Sequence, residues 1–156
     1  MGLSEFQALA EFRFLIRCFL NNSEKAARSV GLEPQHYQAL LAVHGLPAWQ
    51  QPTIRVLAER LQIEHHSAVE LVDRMQRRGL LRRERSRDDR RSVLVHVTPR
   101  GEKLLNRLVR HRLAELRVTA PALTRALSGI IAAAPRGVAS RNAQSRKGRI
   151  SPKSAP

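Results

Sequence analysis

Residues 79 to 98 read Gly79-Leu80-Leu81-Arg82-Arg83-Glu84-Arg85-Ser86-Arg87-Asp88-Asp89-Arg90-Arg91-Ser92-Val93-Leu94-Val95-His96-Val97-Thr98. Val93, Val95 and Val97 alternate with Leu94 and His96, the period of a half-buried strand, and a second strand-like piece follows Gly79. Between the two lies a tip dense in arginine. No core can supply a partner to every guanidinium there, so the tip must meet water or phosphate. Upstream, His65 to Arg78 carries helical periodicity, and Gly79 suits the left-handed conformation that ends helices. A helix, a glycine stop and a basic hairpin, in that order, form the back half of a winged helix-turn-helix.

Working outward, Ser4 stands where an N-cap would open a first helix running to Ser29, with Gly31 just past its end. Phe6, Leu9, Phe12, Leu15, Ile16, Phe19 and Leu20 make that helix apolar over a wide arc, more than one small core requires. Glu33 and Pro34 start a second helix, in which Tyr37, Leu40, Leu41 and His44 share a face, and Gly45 stops it. Residues 46–52, with two prolines and Trp49, read as a loop. Thr53 caps a short third helix with Ile54, Leu57, Ala58 and Leu61 on one side, and Gln62-Ile63-Glu64 turns into the fourth. After the hairpin, Thr98 and Pro99 launch a long helix to about Val118, and Pro121 starts another carrying Leu123, Leu127, Ile130 and Ile131. From Pro135 the apolar periodicity ends, and Arg and Lys sit among Gly, Ser, Ala and Pro with no acidic residue. That composition predicts a disordered basic tail.

Lys and Arg total 28 against 13 Asp and Glu in 156 residues, a formal net charge of +15. Such a charge fits a solvated basic surface or a membrane-surface protein as well as a nucleic-acid binder; its clustering favours nucleic acid. Cys18 is the only cysteine, which excludes an intramolecular disulfide and fits a reducing cytoplasm. No signal-peptide pattern opens the chain, and the longest apolar runs fall short of the ~20 residues that cross a bilayer, so a soluble cytoplasmic protein is expected.

In a helix-turn-helix the second helix enters the major groove by its N-terminal turns. Ala68, Val69, Leu71, Val72 and Met75 can face a core, which leaves His66, Glu70, Arg74 and Arg77 along the opposite stripe and His65 and Ser67 at the leading end. Any surface helix has a solvated face, and it is the adjoining hairpin that gives this one its meaning. Arginines on a narrow hairpin can enter a minor groove, and phosphate contacts from Arg83, Arg85 and Arg87 add salt-dependent affinity. Asp88 and Asp89 suit pairing with a neighbouring guanidinium, which orders the tip. Thr53, Arg55 and Arg90 complete the set of candidate DNA contacts.

Leu32-Glu33-Pro34-Gln35, Leu57-Ala58-Glu59-Arg60-Leu61, Val72-Asp73-Arg74-Met75 before Gly79-Leu80, and Asp89-Arg90-Arg91 leading to Val95 and Thr98-Pro99-Arg100-Gly101 together resemble the MarR family of bacterial winged-helix transcription regulators. The likeness runs in order from Leu32 to about Leu105. Asp89, Arg91 and Val95 fit the family's Asp-x-Arg-x-x-x-Val/Ile wing signature better than the register on Asp88, Arg90 and Leu94. The resemblance implies a mainly α fold with a small β-hairpin wing, divided into an N-terminal dimerisation helix (1–31), a DNA-binding lobe (32–98), C-terminal dimerisation helices (99–134) and the basic tail (135–156). It implies a homodimeric repressor bound to a pseudopalindromic operator in double-stranded DNA. The two-residue spacing lets Asp89 brace Arg91 as it enters the minor groove.

Relatives of this kind sense small aromatic effectors in a cleft between the dimer helices and the DNA-binding lobe. His36, Tyr37, His44 and Trp49 are the candidates here, against the plainer reading that such residues are core. Cys18, flanked by Arg17 and Phe19, suits a small buried hydrophobe better than a redox sensor. His65-His66 lacks a second ligand pair at zinc spacing, no cofactor is called for, and no phosphate loop, nucleophile elbow or paired carboxylates point to an enzyme. Two rivals stand beside the regulator: a sequence-independent nucleic-acid-coating protein, and a protein-interaction adaptor built on the same fold.

Overall fold

The computed structural model describes residues 2–86 and 92–133. In chain order it holds α1 (Leu3–Ser29), α2 (Pro34–His44), α3 (Ile54–Leu61), α4 (His65–Arg77), β1 (Leu81–Arg85), β2 (Val93–Val97) and α5 (Pro99–Ala133). The fold is thus mainly α with one two-stranded antiparallel sheet. The chain divides into two compact units: residues 18–118, and the chain ends, residues 1–17 with those from 119 onward. Among the described residues, no helix is long and apolar enough to cross a membrane. The expected basic tail, 135–156, lies outside the described residues.

Most boundaries are set by single residues. Pro34 opens α2, its missing N–H costing nothing in a first turn, and the Gly45 N–H donates to the Leu41 carbonyl at its end. The Thr53 hydroxyl accepts from the Val56 N–H at 3.2 Å and caps α3. Gln62, at φ 54, makes the left-handed turn between α3 and α4, where its own amide donates to the Glu59 carbonyl at 2.6 Å. Gly79, at φ +68, ends the run after α4 and lets the Leu80 N–H reach the Met75 carbonyl at 2.9 Å.

Two boundaries differ from the sequence reading. Ser4 lies inside α1, because the Gly2 N–H donates to Glu5 Oε2 at 2.6 Å and the cap falls two residues earlier. A glutamate reaching back to the capping backbone does the work that a serine hydroxyl was expected to do. Pro121 opens no new helix: α5 runs through it to Ala133. Its fixed φ is helical, it removes one backbone hydrogen bond, and Ala120, Ala122 and Leu123 around it favour continuation.

The core of the larger unit is built from α2, α3, α4, the hairpin and the start of α5. Leu40, Leu71, Met75, Leu80, Leu81, Val95 and Leu105 are fully buried in it. Pairing runs from Leu81 opposite Val97 to Arg85 opposite Val93. The loop before α3 joins this hairpin, since the Val95 N–H donates to the Pro52 carbonyl at 2.7 Å and Thr53 bridges Leu94. A second polar network ties α1 to α5 inside the same unit. Buried Arg112 pairs with Glu115, donates to the Phe19 carbonyl at 3.2 Å and lies 4.9 Å over the Phe19 ring, while Asn22 donates to Glu115 at 2.8 Å.

The tightest point is the junction of α4, the hairpin and α5. The Thr98 hydroxyl donates to the Gly79 carbonyl at 2.7 Å and accepts from the Gly101 N–H at 3.1 Å, capping α5, while the Thr98 N–H donates to the Leu80 carbonyl at 3.1 Å. A methyl group at position 101 would lie 2.4 Å from the Leu80 carbonyl oxygen and 3.0 Å from Val97. Backbone cannot retreat as a flexible side chain can. Gly101→Ala is therefore expected to lower stability by at least the ~1–3 kcal/mol of ordinary overpacking, read as a fall in the urea midpoint. Gly129→Ala, in open space on α5, serves as the control and should leave the midpoint unchanged or slightly raised.

His36 is 2 % exposed on α2. Arg78 Nη1 lies 3.4 Å from its Nδ1, and Arg78 Nη2 donates to the Gly31 carbonyl at 3.0 Å. A guanidinium has only donors, so Nδ1 accepts and the neutral ring carries its proton on Nε2, which is buried with no hydrogen-bond partner. Burial lowers the His36 pKa below its ordinary 6.5; Glu33 opposes the shift, and Arg78 and Arg74 add to it. The unfolded chain therefore takes up a proton at higher pH than the fold does. The contribution of neutral His36 to stability is present above pH 6.5 and is lost as pH falls below it. His36→Leu should show a smaller loss of stability between pH 7.5 and 5.5 than the parent in parallel urea titrations; equal losses would place the acid sensitivity elsewhere.

Candidate nucleic-acid interface

The amphipathic pattern of α4 sorts its side chains cleanly. Ala68, Leu71, Val72 and Met75 are buried, while His65, His66, Glu70, Arg74 and Arg77 are exposed, with Ser67 half-buried between the two sets. Arg74 lies 3.9 Å from Glu70 one turn back, a loose and exposed pair that leaves the guanidinium accessible. Arg77 has no ion pair among the described residues.

The hairpin stands beside this helix. Arg82 donates to Glu84 at 2.7 Å on its outer face, and His96 Nε2 lies 3.5 Å from the same carboxylate. Arg85 is exposed at the end of β1, and the Ser86 N–H donates to the Ser92 carbonyl at 3.0 Å, which prolongs the ladder towards the tip. Arg87, Asp89, Arg90 and Arg91, and with them the wing signature, lie outside the described residues. Arg83 is placed differently from the phosphate contact expected of it. Its guanidinium pairs with Asp73 and lies 3.5 Å from Gln76 Oε1 and 3.4 Å from the Val69 carbonyl, all on α4.

Thr53 accepts the capping bond of α3, and Arg55, two residues on, is exposed and 3.4 Å from Glu59 Oε1. Both line a cavity of about 600 Å³ that also takes in Trp49, Gln51, His65 and Ser92. Among the described residues, no acidic side chain lines it. The sequence reading missed Gln51 and Ser92 here, because only the pairing of the loop before α3 with β2 brings them together.

The four proposed cleft residues sit in different surroundings. His36 and Tyr37 point into the core of the lobe, where burial raises the Tyr37 pKa and Arg112 opposes it. His44 is exposed at the end of α2, and Trp49 is 81 % exposed in the loop beyond. The helical period put Tyr37, Leu40, Leu41 and His44 on one face; Tyr37 and Leu40 are buried, but Leu41 and His44 are exposed, and His36, Ala39 and Val43 complete the inner face instead. Cys18 is free and half-buried. Among the described residues, no three His, Cys, Asp or Glu side chains are grouped to hold a metal ion.

Comparison with known proteins places this architecture. The model of the MarR family matches residues 30–92, the segment holding α2, α3, α4 and β1. The organic hydroperoxide resistance transcriptional regulator of Bacillus subtilis (strain 168) is 33% identical over 75 residues, 47% of this chain and 48% of that protein. The chain spans about half the length of the first curated relatives it matches. Among solved structures, AbsC, a MarR family transcriptional regulator from Streptomyces coelicolor, superposes with a TM-score of 0.67 at 19% identity, over 96% of this chain and 98% of that one. The repressor CouR bound to a 23-mer DNA duplex gives a TM-score of 0.58 at 28% identity, over 76% and 87% of the two chains. Matched segment, wing and helix order agree: the chain folds as a winged helix-turn-helix, and its residues 30–92 carry the likeness to the MarR family.

Proposed function

We propose that this protein is a sequence-specific regulator of transcription that binds double-stranded DNA as a homodimer, on a pseudopalindromic operator, and acts as a repressor in the bacterial cytoplasm. The observation that carries the reading is the exposed stripe of His66, Glu70, Arg74 and Arg77 on α4, beside a basic hairpin. A helix with one face in the core and the other bearing hydrogen-bonding side chains fits a major groove. Residues 87–91, three of them arginine, join the two strands of that hairpin in the sequence. In this reading Arg91, braced by Asp89, enters the flanking minor groove.

The homodimer rests on apolar surface. Leu3, Phe6, Leu9 and Phe14 on α1, and Leu127 and Ile131 on α5, are exposed in the single chain. A soluble protein seldom leaves such a row in water, and a second copy offers the same row in return. No effector is assigned, since the residues proposed for a ligand cleft are dispersed.

The charge of +15 favours one other reading, a coating protein that binds any duplex. Affinity for a duplex selected from a random pool, set against a scrambled duplex at the same salt, separates the two. A regulator is expected to prefer its site by about 10³-fold or more; near-equal affinities would select the coating protein. Arg74→Ala should cost about 1–3 kcal/mol on the selected duplex and much less on the scrambled one. Light scattering is expected to give twice 17.6 kDa, and a monomer at micromolar concentration would remove the two-half-site operator.

A further inference from the structure

We propose that Arg83 is a positioning residue, a clamp that sets the angle between the hairpin and α4, and that it takes no part in neutralising phosphate. This rests on the DNA-binding reading given above and adds to it a determinant of site geometry.

Alternation along β1 puts Arg83 on the same face as Leu81, and Leu81 is fully buried. Across the ladder Arg83 stands opposite Val95, which is also fully buried. A charged side chain thus occupies a position whose strand neighbours point to the core. An inward cation must find acceptors, because desolvating a guanidinium without partners is costly. It finds them on one element. The Asp73 carboxylate, Gln76 Oε1 at 3.5 Å and the Val69 carbonyl at 3.4 Å belong to residues spaced four and three apart, a single stripe of α4 two turns long. The Arg83 side chain is 28 % exposed and that of Asp73 is 41 % exposed, so the pair is partly screened from water.

A planar fork held along two turns of a helix resists rotation of the strand that carries it, which a compact ammonium would not. The hairpin otherwise meets α4 through the short turn at Gly79 and Leu80 and through the shared apolar core of Leu81, Val95 and Met75, whose packing is non-directional. The clamp supplies the direction. If α4 reads one groove and the hairpin tip the next, their angle fixes the number of base pairs between the two contacts.

The test uses the full-length protein and duplexes selected by the parent from a random pool, with one base pair inserted or deleted between the core and flank of each half-site. The parent should discriminate against both altered spacings. Arg83→Gln and Asp73→Asn should each weaken binding to the selected duplex by about tenfold, the double variant should lose no more than either single one, and discrimination against altered spacing should shrink. The slope of log affinity against log salt should stay at the parent's value. A slope reduced by about 0.9 with additive losses would show a phosphate contact and overturn the proposal. Unchanged affinity and spacing preference would overturn it too. Amide exchange gives a readout that needs no DNA: residues 81–86 and 92–97 should exchange faster in both variants while α2 does not change. If the parent binds no duplex selectively, the regulator reading fails, and this exchange result alone still decides whether the clamp exists.

Discussion

At Gly101 the α5 backbone packs so closely on the carbonyl of Leu80 that an added methyl group would lie 2.4 Å from its oxygen. That carbonyl lies where only a hydrogen can face it, and Thr98 holds the same turn from the other side through Gly79 and Leu80. The exit from α4, the return strand of the hairpin and the entry to α5 are therefore one object rather than three elements in sequence. Everything proposed for recognition hangs from it: the helix that would enter a groove, and the hairpin beside it, share one anchor. The fully buried residues Leu40, Leu80, Leu81 and Leu105 converge on the same junction and give it a hydrophobic floor.

Around this anchor the arginines divide by what they meet. Arg112 is enclosed and joins α1 to α5; Arg78 joins the end of α1 and the start of α2 to α4; Arg83 joins the hairpin to α4. Each is held by carbonyl oxygens or carboxylates of the chain itself. Arg77 and Arg85 have no ion pair among the described residues and extend into solvent. The count of 28 Lys and Arg thus overstates what a polyanion would meet, because some of them serve internal cross-links. Arginine suits both tasks, since the same fork that grips a carboxylate grips a phosphate.

Features written within one turn or one strand were legible in the sequence. Thr53 and Thr98 cap as their positions suggest, Gly79 takes the left-handed conformation, and the valine alternation forms the return strand. Ser4 and Pro121 misled because capping and breaking depend on competitors: Glu5 supplies another cap, and a helix can absorb one lost hydrogen bond. The contacts of Arg83 with α4 went unread for a different cause. Its neighbours suggested a solvated arginine cluster, whereas its alternation with Leu81 already assigned it to the inner face. The dispersal of His36, Tyr37, His44 and Trp49 was unreadable, since it depends on how loop 46–52 leaves α2 and joins β2.

Trp49 is the sole tryptophan of the chain and stands almost wholly in water, on a loop stitched to β2 by the Pro52 carbonyl. It borders the same cavity as Arg55 and His65, the latter opening α4. The indole's emission is therefore governed by one locality, with no second fluorophore of its kind to dilute it. Anything that covers that cavity, or that shifts the loop by way of β2, changes the polarity around a single ring. The fold thereby contains an optical reporter at the edge of the face proposed for recognition, sensitive to arrivals there.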